Sequence, residues 1–169
     1  MRRAAALLFA SFAAVCAAAD EVYQAPEAFV AEAFGGQAPA PQMLWLTGER
    51  RQQAAAILGR DPGAARARYW RHEARTAWVL EEIGKERPIT VGFVVERDHL
   101  AETRVLVYRE SRGWEVRLPA FVKQFAGAAL TPALELDRSI DNISGATLSV
   151  NALRRMARLA LFYHRQVTA

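Results

Sequence analysis

From Tyr69 the pattern of the chain changes to short apolar runs that are typical of β-strands. The runs are rich in aromatic and β-branched residues, and turn signals at 84–88 and 97–99 separate them. Connections this short join antiparallel neighbours, and the simplest topology is a meander. The predicted strands are Tyr69–Glu73, Ala77–Ile83, Ile89–Glu96 and Thr103–Arg109.

The C-terminal segment has the spacing of an amphipathic helix. Its apolar positions recur at i, i+3, i+4, i+7 and i+8, which predicts a helix packed on the sheet. This stripe comprises Leu153, Met156, Ala157, Ala160 and Leu161. Other positions of the same helix hold Arg154, Arg155, Arg158 and Arg165. We expect these arginines to form a solvated face, with anion binding as the alternative.

Shorter helices are predicted on both sides of the strands, namely Pro26–Phe34, Gly48–Leu58 and Pro119–Phe125. Thr47 is expected to cap the second helix, while Gly59 ends the second and Gly127 the third. The remaining stretches read as a loop at Gln37–Gln42, a turn at Arg60–Ala65 and an extended segment at Ala133–Ile140. The predicted fold class is therefore α+β, an antiparallel sheet packed with helices.

Residues 1–19 are typical of a secretory signal peptide. Arg2 and Arg3 precede an apolar stretch, and the segment ends in Ala17-Ala18-Ala19, which matches an A-x-A cleavage site. Cleavage there leaves one domain over residues 20–169. Two alternatives stay open: the leader is retained as a membrane anchor, or Cys16 is lipidated.

Charge and composition exclude several classes of protein. The formal net charge is +4, and loss of Arg2 and Arg3 lowers it to +2, which argues against nucleic-acid binding. Cys16 is the only cysteine, so the mature chain forms no disulfide. The three histidines fall in different predicted elements, and no metal site is expected from them.

The segment 141–149, directly before the last helix, places hydroxyl groups and a glycine at a helix entrance. Amides at such an entrance lack intrahelical acceptors and the helix dipole favours negative charge, so the segment suits a phosphate group. Gly145 and Ala146 leave the Thr147 hydroxyl accessible. Simpler interpretations are a helix cap by Thr147 or Ser149, or a glycosylation sequon at 142–144.

The sequence Asp141-x-x-Ser144-Gly145-Ala146-Thr147 resembles the D-x-x-[ST]-G-A-T flavinylation motif of the FMN-binding domain family. This family includes the C subunit of the sodium-translocating NADH:quinone oxidoreductase and the G subunit of the Rnf complex. The segment 103–113 is similar to the strand and turn of that family, and 121–127 is similar to its F-x-x-Q-F-x-G helix end. Ser111-Arg112 stands where the family turn has Thr-Pro.

The resemblance implies FMN joined by a phosphodiester to Thr147. It also implies a periplasmic, magnesium-dependent flavin transferase as the modifying partner, FAD as donor, and a membrane-bound redox partner. Ser144, Gly145 and Ala146 would form the recognition segment. The other residues implied at the cofactor site are Asp141, Glu110 and Gly113.

The residues around the motif agree with modification by a separate enzyme. A threonine hydroxyl needs activation to act as a nucleophile, and no histidine lies near Thr147 in sequence. The isoalloxazine ring also needs a flat apolar wall. Trp114 is the preferred stacking candidate because it follows the turn, with core packing as the alternative for it and for Trp45, Trp70 and Trp78.

These inferences favour a periplasmic electron-transfer protein that carries covalent FMN. Its leader is expected to be cleaved, with continued association with the membrane as the alternative. Two alternatives stay open. One is a flavin-dependent periplasmic reductase that acts directly on a small substrate. The other is a cofactor-free α+β binding module in which residues 144–147 serve only as a helix cap.

Overall fold

The computed structural model describes residues 20–168 and contains one six-stranded antiparallel sheet. The strand order is β1-β6-β5-β4-β3-β2, so β3 to β6 form the predicted meander, while β2 pairs with β3 and β1 pairs with β6. The strands are β1 (Glu21–Val22), β2 (Gln42–Trp45), β3 (Arg66–His72), β4 (Arg75–Ile83), β5 (Pro88–Glu96) and β6 (His99–Tyr108).

Helices cover both faces of the sheet and confirm the α+β prediction. They are α1 (Pro26–Ala33), α2 (Gly48–Leu58), α3 (Pro119–Val122) and α4 (Thr147–Thr168), with 3₁₀ turns at Trp114–Arg117 and Lys123–Phe125. Helix α4 packs on β4, β5 and β6, whereas α1 contacts β4 and β5. The sheet is thus the middle layer of three.

Alternating side chains divide the core between the two faces of the sheet. Trp78 and Phe93 belong to the larger cluster with α4, whereas their neighbours Ala77 and Val94 belong to a smaller cluster with Phe29 of α1. This is the expected result of the two-residue period of a strand. Because both faces of β5 are covered, all of its positions from 89 to 95 are buried.

The predicted stripe of α4 is confirmed. All five of its residues are at most 1% exposed. They lie against the sheet or against α2, and burial of each leucine or methionine side chain contributes about 1.5–3 kcal/mol to stability. The burial of this stripe fixes the position of the whole helix, including its first residue.

The prediction of a solvated arginine face on α4 is wrong. Arg158 donates to the backbone oxygen of Leu134 at 2.6 Å and Arg165 to that of Leu130 at 2.5 Å, while Arg154 donates to the oxygen of Ile140. These bonds hold the segment 130–140 against the helix. Arginine suits this role because its aliphatic stem covers apolar surface while its guanidinium donates to backbone oxygens.

Three other local predictions need correction. The segment Ala133–Ile140 is not extended: it consists mainly of turns and bends, with Leu134 at φ +61°, and only Leu136 forms an isolated bridge, to Leu130. Thr47 makes no side-chain cap bond, although Gly59 ends α2 with φ +73° as predicted. The predicted loop at Gln37–Gln42 is one residue too long, because Gln42 is the first residue of β2. Strand β2 pairs with β3, and Gln42 lies opposite Tyr69.

The predicted signal peptide and Cys16 lie outside the described residues. Within residues 20–168, no helix combines the length and the apolar character needed to cross a membrane.

Gly92 provides a test of the α1 face. An added Cβ there would lie 2.5 Å from Cε1 of Phe29. We predict that Gly92→Ala lowers the free energy of unfolding by about 1–3 kcal/mol, because the sheet and α1 would be forced apart. Denaturant unfolding measures this loss. In a Phe29→Ala background the same substitution should cost less, and an equal cost in both backgrounds would contradict the assigned contact.

His164 makes stability depend on pH. It is 2% exposed, and burial lowers its pKa below the ordinary 6.5 despite the nearby carboxylate of Asp98. Its Nδ1 lies 2.8 Å from the Thr76 hydroxyl, which accepts from the indole of Trp78 and can donate to a neutral imidazole. The folded state therefore disfavours protonation of His164, and its contribution to stability is lost as the pH falls below 6.5.

We predict that the free energy of unfolding of the wild type falls between pH 7 and pH 5 more steeply than that of His164→Asn, which retains an acceptor for Thr76. Carboxylates with lowered pKa, such as Glu96, titrate below this window. His72→Gln is the control substitution, because it removes a histidine that is exposed and lies outside the core. Parallel profiles for wild type and His164→Asn would show that His164 has no part in this pH dependence.

Candidate functional site

The predicted motif lies at the exposed N-terminal end of α4. Thr147 is the first residue of the helix, and its side chain is exposed, as are those of Asp141 and Ser144. Gly145 has φ +81°, a conformation that favours glycine, and an added Cβ there would meet no atom within 4 Å. Ala146 is buried and donates its amide to Ile143 at 2.9 Å. The motif is therefore a turn that presents Thr147 to an open surface.

The entrance of α4 has the free donors expected for an anion. The amide of Val150 donates to the oxygen of Ala146 at 2.9 Å, which begins the helical pattern. The amides of Thr147, Leu148 and Ser149 precede this bond and have no acceptor within the helix. Together with the helix dipole, they favour negative charge beside Thr147.

The structure brings the turn Glu110–Gly113 next to the motif. Gly113 has φ +82°, and an added Cβ would lie 3.0 Å from Cβ of Ala146 and 3.0 Å from the hydroxyl of Tyr108. Tyr108 donates to the oxygen of Arg112 at 2.5 Å and lies 3.3 Å from the Ser149 hydroxyl. Burial raises the pKa of Tyr108, so the phenol stays protonated and can donate.

Glu110 organises a second turn at the same place. Its Oε1 accepts from the amides of three successive residues, at 2.5 Å from Lys85, 2.7 Å from Glu86 and 3.0 Å from Arg87. Gly84 allows this approach, since an added Cβ would lie 2.8 Å from that oxygen. Glu110 thus holds the β4–β5 connection, and this oxygen is already used by the protein itself.

Two clefts flank the contact between the motif and the Glu110–Gly113 turn. The larger, which we term the motif cleft, has a volume of about 520 Å³ and is lined by Lys85, Glu110, Ser111, Arg112 and residues 145–149. The smaller has a volume of about 250 Å³ and is lined by residues 111–115, Ser144 and Gly145. Every predicted site residue except Asp141 lines one of the two clefts.

Asp141 contributes through its backbone. Its amide donates to the side-chain oxygen of Gln124 at 2.8 Å, which ties the start of the motif to the segment 121–127. Asn142 Nδ2 donates to the Thr147 hydroxyl oxygen at 2.9 Å. Sequence reasoning missed both Gln124 and Asn142 as positioning residues, although each lies inside a segment that carried the family resemblance.

The four tryptophans differ in their exposure and in their surroundings. Trp114 is 45% exposed, lines the smaller cleft and has the Arg117 guanidinium 5.2 Å from its ring centre. Trp78 is fully buried and stacks on Tyr69, so it belongs to the core. Trp70 packs against the α1 cluster, and Trp45 lies on edge strand β2. Trp114 is the tryptophan that can contact a ligand near Thr147.

The clefts contain few groups able to transfer protons. Their lining includes no histidine, and their carboxylates are Glu110 and Glu115. Within residues 20–168, no three histidine, cysteine, aspartate or glutamate side chains are grouped to hold a metal. The arrangement suits an anion bound at a helix entrance, beside an exposed hydroxyl and an aromatic ring.

Comparison with known families agrees with this geometry. Residues 84–161 match the FMN-binding domain family model. The match spans 78 of the 169 residues, and it supports FMN binding by this part of the chain. Neither the curated proteins nor the solved structures include a significant match. The matched span covers both clefts and the whole motif.

The two glycines of the site give a matched pair of substitutions. Both have positive φ, but only Gly113 would bring a Cβ into contact with neighbouring atoms. We predict that Gly145→Ala lowers the free energy of unfolding by about 1 kcal/mol through backbone strain alone. Gly113→Ala should cost about 1–3 kcal/mol more because it also crowds the junction. Denaturant unfolding compares them, and equal losses would contradict tight packing at Gly113.

Proposed function

We propose that this FMN-binding domain is a periplasmic electron carrier with FMN joined through a phosphodiester to Oγ of Thr147. The observation that carries the proposal is the exposed Thr147 hydroxyl at the N-terminus of α4, inside the span that matches the FMN-binding domain. Bound FMN would supply the redox chemistry, while the protein supplies attachment, orientation and tuning of the potential.

The residues at the motif cleft fit the group that the proposal places there. A phosphodiester keeps one negative charge, which the helix entrance stabilises by about 0.3–1 kcal/mol. Lys85 and Arg112 add two cationic side chains to the lining. The side chain of Leu148, 51% exposed in the same lining, and the half-exposed Trp114 of the adjoining cleft offer apolar surface to a flat ring. Attachment, charge and ring surface are therefore available within one region.

The attachment step needs a separate flavin transferase. Oγ of Thr147 would form a bond to the phosphorus of the FMN half of FAD, the phosphoanhydride bond would break, and AMP would leave. The hydroxyl proton must pass to a base, and the clefts contain no histidine to accept it. Asn142 donates to the hydroxyl oxygen and so leaves the hydroxyl hydrogen directed away from it, available to a base of the transferase.

The same scarcity of proton-transfer groups favours a carrier over a reductase. A reductase that acts on a small substrate needs a positioned acid or base. Glu110 already accepts three backbone amides, and Glu115 is the other carboxylate of the lining. In this proposal the chain is a small relative of the membrane-complex subunits, exported by the leader at residues 1–19 and reduced or oxidised by a membrane-bound partner.

Thr147→Ala tests the attachment. We predict that wild-type protein produced with a flavin transferase carries one FMN, retained in a denaturing gel as a fluorescent band, and that Thr147→Ala carries none. Intact-mass and peptide mass spectrometry locate the modification. Ser111→Ala removes another hydroxyl of the motif cleft and should be modified like the wild type.

Two results would oppose this proposal. Flavin that survives denaturation of Thr147→Ala would place the bond elsewhere. An unmodified wild type, in the presence of a transferase shown to be active on another substrate, would remove the covalent claim. The domain could then still be tested for FMN bound without a covalent bond.

A further inference from the structure

A third cleft lies apart from the two clefts at the motif and shares no lining residue with them. It has a volume of about 610 Å³ and lies between the end of α2, the segment 135–140 and α4. Its lining contains four arginines and one carboxylate, namely Arg138, Arg154, Arg155, Arg158 and Glu135. We term it the arginine cleft.

The positive charge of this cleft is only partly neutralised. Arg158 pairs with Glu135 at 2.7 Å, but Arg154 donates to the backbone oxygen of Ile140 and to Asn151. Arg138 donates to the oxygens of Ala126 and Gly127 and also contacts Asp137. Amide oxygens satisfy hydrogen-bond donors without cancelling their charge, so the cleft retains an excess of cations.

Arg155 has an unmet hydrogen-bonding need. Its Nε is buried and has no hydrogen-bond partner. One terminal nitrogen lies 3.4 Å from Glu82, a buried carboxylate that Arg60 already engages at 2.7 Å. A buried donor without an acceptor costs about 1–3 kcal/mol. Because Nε is enclosed by the protein, an oxyanion in the cleft would meet the terminal nitrogens of Arg155, whose contact with Glu82 is long and shared with Arg60.

The spacing of the three α4 arginines suits one small ligand. Positions 154 and 158 are four residues apart and 155 and 158 are three apart, so their side chains lie on one side of the helix. Guanidinium groups bind carboxylate and phosphate oxygens in pairs, which a single halide ion cannot match. Glu135 opposes an anion, but it is 61% exposed and can turn toward solvent.

We propose that the arginine cleft binds a small oxyanion with at least two negative charges, with Arg155 as its central ligand. The class includes phosphate groups and dicarboxylates, which offer the same paired oxygens. The site is independent of Thr147 and therefore of the attachment of FMN.

Titration calorimetry of the apo-protein at low ionic strength tests this proposal. Inorganic phosphate, pyrophosphate and succinate are the probes, and acetate is the singly charged control. We expect saturable binding of one dianion per chain, at least tenfold weaker binding of acetate, and loss of affinity with added salt. The probe that binds with the highest affinity shows whether the site prefers phosphate groups or carboxylates.

Arginine variants locate the site. Arg155→Gln should weaken binding about tenfold or more, and Arg155→Lys, which keeps the charge but loses the paired donors of the guanidinium, should weaken it less. Arg165→Gln is the matched control, because Arg165 lies on the same helix and holds a backbone oxygen but does not line the cleft. It should bind like the wild type.

The Nε–H signal of Arg155 in a nitrogen-15 spectrum provides a direct readout and should shift on addition of the probe. If Arg155→Gln does not fold, Arg155→Lys and this signal decide. No saturable binding of any dianion, or equal weakening by Arg155→Lys and Arg165→Gln, would overturn the proposal. Unchanged dianion binding by Thr147→Ala is expected, which separates this result from the test of flavin attachment.

Discussion

The burial of α4 against β4, β5 and β6 is the contact on which the rest of the structure depends. It fixes a 22-residue helix whose apolar stripe is wholly enclosed by the sheet and α2. Thr147 is thereby held at one end, and the arginines project beside the segment 130–140. Tyr108 and Ser149 then join the turn after β6 to the first turn of the helix. The packing of α4 on the sheet therefore positions both the motif cleft and the arginine cleft.

Sequence periodicity predicted the parts of the fold in which local pattern and burial agree. Strands β3 to β6 can be predicted because they are short runs of aromatic and β-branched residues between turn signals, and the stripe of α4 because its apolar residues repeat at the helical period. Strand β1 has only two residues and β2 has four, and both lie at edges of the sheet, so neither is long enough to show a repeating pattern. Both form through pairing with a neighbour, which a local pattern does not reveal.

The candidate site was likewise predictable only in part. The segment 141–147 is contiguous and could be read directly, whereas Tyr108, Gln124 and Ser149 act across distances in sequence that have no spacing rule. The arginines of α4 were placed correctly off the apolar stripe. The prediction that they are exposed is wrong, because helical periodicity distinguishes the core-facing side of a helix from its other side. It does not show that an irregular segment, here residues 130–140, covers that other side.

The bond from Glu110 to the β4–β5 connection has a consequence for how sequences of this kind can vary in length. Hairpin connections are ordinarily places where insertions and deletions are tolerated. Here the amides of residues 85–87 all converge on one carboxylate oxygen, and Lys85 also lines the motif cleft. An added residue would break this convergence and reshape the cleft wall. The length of this hairpin is thus constrained by the site, although none of its residues lies near Thr147 in sequence.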